Sequence, residues 1–182
     1  YAFAHGKYTQ FTTGTGLKEI EEGILFSNDK ISEITLKHLN NCDYATLKYL
    51  FGNENSSEKA IPQTLKDVTV ANATIIPEGY FRNYEYIEKV TLNDVQTIGV
   101  EAFAGCKDLK EVTGSESLTS IEEKAFYGCT ELTSIENLEQ VKEYKDSVFE
   151  NCQKLNVQEN IFTDAVSIGN SAFKECDALQ KA

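Results

Sequence analysis

IEEKAFYGCTELTSI, Ile121 to Ile135, is the stretch of which most of the remaining chain is a variation. Phe103, Phe126, Phe149 and Phe173 follow one another at intervals of 23, 23 and 24 residues. Cys106, Cys129, Cys152 and Cys176 keep the same intervals, each three residues after its phenylalanine. A recurrence of about 20–50 residues marks a solenoid, in which each unit buries its apolar side against its neighbours.

With Phe126 as anchor, the equivalent positions are Phe3, Leu25, Phe51, Phe81, Phe103, Phe149 and Phe173. Five residues before the anchor stands an aliphatic (Ile20, Ile76, Ile98, Ile121, Ile168), with Tyr144 as the odd member. Six after it stand Ile31, Ile87, Leu109, Leu132 and Leu155, and nine after it Ile34, Val90, Val112 and Ile135. One register therefore explains four columns. Around Glu111-Val112-Thr113 and Ser134-Ile135-Glu136 polar and apolar residues alternate, the pattern of a strand with one buried face. A second short alternation, Val95 to Ile98 and Leu118 to Ile121, predicts another strand on the opposite side. Between them the AF-GC segment reads as a turn, with Gly105 and Gly128 allowing a tight backbone and the aromatic filling the core.

One unit is longer. Over residues 40–65 the spacing of Tyr44, Leu47, Leu50 and Phe51 predicts one face of a short helix. Gly52 to Lys59 is a polar insertion, and register returns at Leu65, Val68 and Val70. Insertions in solenoids cluster on one face and often bind.

The 182 residues suffice for one core, and 41% hydrophobic with 25% charged residues is the composition of a globular chain. There is no run of 18 apolar residues to insert in a membrane. A net charge of −12 argues against nucleic acid or anionic lipid as partner. The opening YAFAHG matches the interior KAFYGC, and the closing CDALQKA ends where a strand is due, so residues 1–182 read as one solenoid domain cut from a longer chain.

IGVEAFAGCKDLKEV (Ile98 to Val112), IEEKAFYGCTELTSI and IGNSAFKECDAL (Ile168 to Leu179) resemble the BspA-like branch of the leucine-rich repeats, and YLFGNENSSEKAIPQTLKDVTV resembles its longer insert-bearing unit. The resemblance implies a right-handed, mostly β leucine-rich-repeat solenoid with short helical turns and repeats of about 22–24 residues. It also implies a cell-surface or secreted protein of adhesion or recognition, without catalytic residues to carry over.

The residues themselves offer little chemistry. The four-cysteine column, with Cys42 apart, lacks C-x-x-C spacing and accompanying histidines, which favours small buried hydrophobes over metal ligands or disulfides. His5 and His38 are far apart in the repeat order, against a Cys–His or Ser–His site. Glu21-Glu22 and Glu122-Glu123 recur in register as a solvated edge and fit no calcium loop. The sequence thus calls for no cofactor, no metal and no enzyme activity.

A binding surface is easier to place. The polar residues flanking each strand's core residue would line a concave sheet: Glu33 and Thr35, Asp67 and Thr69, Lys89 and Thr91, Glu111 and Thr113, Ser134 and Glu136. Expected is a non-catalytic module that binds a protein or glycan through this face or through the 52–59 loop. A structural spacer of a larger surface protein is the alternative.

Overall fold

The structure, a computed structural model, describes residues 2–15, 20–37, 39, 46–52, 61–157 and 161–181. Two parallel sheets run along it. The first joins six strands: β1 (Gln10–Thr12), β2 (Glu33–Leu36), β3 (Asp67–Val70), β5 (Lys89–Leu92), β7 (Glu111–Thr113) and β9 (Ser134–Ile135). The second joins five two-residue strands: β4 (Ile75–Ile76), β6 (Thr97–Ile98), β8 (Ser120–Ile121), β10 (Glu143–Tyr144) and β11 (Ser167–Ile168). Successive strands of one sheet come from successive turns, and the alternation fixes their register because a one-residue slip would turn every core side chain outward. Phe11, Ile34, Val68, Val90, Val112 and Ile135 accordingly form one continuous row of pairing partners.

The segment expected as a plain turn is itself a third ladder. The amides of Glu101, Phe103 and Gly105 donate to the carbonyls of Glu123, Ala125 and Tyr127 of the next turn, at 3.0, 2.8 and 2.7 Å. Residues two before and two after the anchor adopt positive φ, which turns alternate amides toward the neighbouring turn. Gly105 and Gly128 do so at +75° and +71°, but Asn151 and Glu175 take the same place at +66° and +60°. Glu101, Lys124, Ser147 and Ser171 hold the preceding position at +52° to +57°.

Phe81, Phe103, Phe126 and Phe149 are buried and stack face to face, with centroid separations of 4.9, 5.2 and 5.5 Å. The expected anchors at the two ends of the row depart from this. Phe3 is 44% exposed and meets Tyr8 and Phe11 edge-on, and Phe173 is half-buried. Each has a described neighbouring turn on one side only, and so has Ile168, expected inward but 53% exposed, whose strand β11 is the outermost described strand of its sheet. Tyr144 fits its aliphatic column by sending its hydroxyl to the Leu138 carbonyl, 3.2 Å away, while its ring remains buried.

The insert-bearing unit contains helix α1 (Lys48–Phe51), with Leu47, Leu50 and Phe51 buried as the spacing predicts. It spans the anchor slot: Leu25 donates to the Leu50 carbonyl on one side, and Leu47 donates to the Tyr80 carbonyl on the other. One helical turn thus replaces one rung of the third ladder without breaking the stack. Tyr44, Cys42, His38 and the loop beyond Gly52 lie outside the described residues. After Leu155, where an extra residue enters the repeat, the first sheet has no described strand beyond β9, and the Asn156 amide still donates to the Thr133 carbonyl at 3.0 Å.

Candidate functional site

Three residues after each anchor lies a position whose role the sequence did not disclose. Cys106, Cys129, Cys152 and Cys176 are buried free thiols, and each donates to the anchor carbonyl one turn earlier: Phe81, Phe103, Phe126 and Phe149, at 3.0–3.1 Å. Asn28 fills the same place with its amide to the Phe3 carbonyl at 2.8 Å, and Tyr84 with its hydroxyl to the Pro62 carbonyl at 3.1 Å. The common feature is a side-chain donor to a carbonyl of the preceding turn; in the cysteine column that carbonyl also accepts a backbone amide, as Phe103 does from Cys106 at 3.1 Å, so the thiol is its second donor. Burial pushes the Cys106 thiol up to about 12 and that of Cys176 up to about 11, and raises those of Cys129 and Cys152 as well. These thiols are buried core groups held in the protonated form. His5 packs edge-on against Phe26. Among the described residues no group of three or more His, Cys, Asp or Glu is placed to hold a metal ion, and no helix is long and apolar enough to cross a membrane.

All ten residues expected on the binding face lie on the six-stranded sheet or directly after it. Glu33, Asp67, Lys89, Glu111 and Ser134 pair in register as one column, and Thr35, Thr69, Thr91 and Thr113 as a second. Glu136 follows β9 immediately. Inward residues alternate with these, so both columns point away from the core. The reading missed one strand: Gln10 and Thr12 of β1 extend the two columns through their pairing with Glu33 and Thr35. Phe11 stands eight residues after Phe3 rather than nine, which hid the strand from the repeat register.

The polar groups on this face are not equally occupied. Lys89 and Glu111 form a 2.7 Å ion pair, whose hydrogen bond raises the Lys89 pKa. The Thr91 and Thr113 hydroxyls lie 3.2 Å apart, and Glu136 accepts from the Gly114 amide at 2.7 Å. Glu33 accepts from the Gln10 side-chain amide through one oxygen, at 2.8 Å. At the sheet's flank Lys66 and Lys110 both pair with Glu88, at 3.1 and 2.5 Å, and hold that carboxyl below the usual range.

A stack of near-identical turns with two parallel sheets and a laddered turn defines a repeat protein of the leucine-rich-repeat solenoid class. The chain belongs to the family described as the BspA type leucine rich repeat region, whose pattern matches residues 1–72 and 74–182 in six copies. Comparison with curated proteins finds no match. Among solved structures it is similar to the leucine-rich-repeat protein of T. pallidum, at 20% identity and a TM-score of 0.57, covering 95% of this chain and 78% of that one. It is also similar to a leucine-rich cell surface protein from Faecalibacterium prausnitzii A2-165, at 22% identity and a TM-score of 0.52. That match covers 95% of this chain but 46% of the other.

Proposed function

We propose that the chain is a non-catalytic recognition module of a cell-surface protein, adhering to a macromolecular partner through the outward face of its six-stranded sheet. The observation that carries this reading is the pair of in-register polar columns. Parallel strands hold these side chains in fixed places, so little ordering entropy is lost when a partner docks. The family, and the likeness to the F. prausnitzii cell surface protein, support the location.

The test is adhesion of bead-bound protein to cultured epithelial cells and to a panel of purified extracellular proteins and glycans. Thr69→Arg and Thr91→Trp, which crowd the face without touching the core, should reduce adherence at least tenfold and leave the melting temperature within about 2 °C. Undiminished adherence of both variants would move the site off this sheet. Absence of adherence by the parent protein would favour the spacer. That second reading has its own support in the turn-to-turn ion pairs Glu131–Lys154 and Glu150–Lys174, which brace the stack lengthwise at 2.5 and 2.7 Å.

A further inference from the structure

We propose, resting on that reading, that the contact centre of the face is the β2–β3 step, and that it receives an arginine-bearing segment of a protein partner. The two halves of the face differ in what their polar groups already do. On β5 and β7 the side chains satisfy one another, lysine to glutamate and threonine to threonine. On β2 and β3 they do not. Asp67 makes no side-chain hydrogen bond or ion pair with the described residues, and neither do the hydroxyls of Thr35 and Thr69. Glu33 has one oxygen without a hydrogen-bond partner among the described residues. Of the nearby cations, Lys66 is committed to Glu88, and Lys89, the register partner of Asp67 on the other side, is hydrogen-bonded to Glu111 and reaches Asp67 only through its field.

Glu33 and Asp67 are also direct register partners on adjacent parallel strands, about 4.8 Å apart along the stack. Like charges placed directly opposite destabilise a sheet. A single cation lying between them would relieve the repulsion. A planar guanidinium suits this gap better than an ammonium, because its fork of five donors reaches two carboxylates at once and has hydrogens left for the threonine hydroxyls. The outward columns carry no aromatic side chain on which a sugar ring could stack, so the face favours a polypeptide over a glycan.

The experiment titrates the intact chain with a 12-residue peptide containing three arginines, and with its lysine and citrulline counterparts, by calorimetry and by NMR of threonine methyl groups. Expected are binding in the order arginine, lysine, citrulline, and methyl shifts concentrated at Thr35 and Thr69. The double variant Glu33→Gln, Asp67→Asn should weaken arginine-peptide binding about tenfold or more and flatten its salt dependence, while Glu123→Gln and Glu143→Gln, which lie off this sheet, stay within about twofold. Equal losses in all these variants would mean that only the net charge attracts the peptide and would overturn the proposal. So would citrulline binding as well as arginine, or no arginine-peptide binding at millimolar concentration. Face-dependent cell adherence alongside any of those results would leave the recognition reading standing while this one fails.

Discussion

The Cys129 thiol donates to the carbonyl of Phe103, one turn away, at 3.1 Å. That contact recurs at every cysteine of the column, which makes the residue a core donor as well as a small hydrophobe. Cys129→Ala should destabilise the fold by about 1–3 kcal/mol, because it removes the second donor to a buried carbonyl that otherwise keeps only the Cys106 amide, and leaves a small void. Cys129→Ser restores a donor and should be the less damaging change. Urea melts decide between the roles, since a thiol acting only as filler would make serine, with its buried hydroxyl, the worse of the two.

Phe126→Ala should cost about 3–5 kcal/mol. The ring is fully buried between Phe103 and Phe149, with interplanar angles of 6° and 15°, so neither neighbour can swing into the gap without losing its own stacking. Phe126→Leu, which keeps most of the volume, should lose less than half as much. A loss below about 1 kcal/mol for the alanine variant would contradict the burial.

The repeat columns were legible in the sequence because each one is a buried position with a single chemical demand. Ile34, Val90, Val112 and Ile135 had to be apolar, and the spacing exposed them. The third ladder was not legible, because it consists of backbone bonds, and its positive-φ sites accept glycine, asparagine, glutamate or lysine without a shared side-chain signature. Of the binding face, the columns could be predicted from the alternation, but their occupancy could not. Whether Lys89 turns to Glu111 or to Asp67 depends on side-chain placement, and both lie one strand away in register.

Stability should fall in mild alkali. An unfolded thiol ionises near pH 8.5, whereas the folded ones ionise higher, at about 12 for Cys106 and about 11 for Cys176. Above pH 8.5 the folded state therefore holds more protons than the unfolded state. Their stabilising contribution is complete below that pH and is lost as pH rises toward the folded values. Each such thiol adds up to about 1.4 kcal/mol per pH unit to the loss. Urea melts between pH 7.5 and 10 should show the decline, with a shallower slope in Cys106→Ala. An unchanged slope in that variant would mean the thiol titrates normally in the fold.

Gly128 and Gly105 occupy the same place in consecutive turns but should not tolerate alanine equally. Both have φ near +70°, a conformation that costs an L side chain about 1–2 kcal/mol. At Gly128 an added Cβ has room, its nearest neighbour being the Gly105 amide nitrogen at 4.0 Å, so only the conformational cost applies. At Gly105 the same atom would come within 2.6 Å of the Asn83 side-chain oxygen, and the neighbouring turn must shift as well. Gly128→Ala should therefore lower stability by about 1–2 kcal/mol and Gly105→Ala by more. Asn83→Ala, which removes the obstructing oxygen, should bring the Gly105→Ala loss down to that of Gly128→Ala when the two changes are combined. Additive losses in the double variant would show that the Asn83 side chain is not the obstacle.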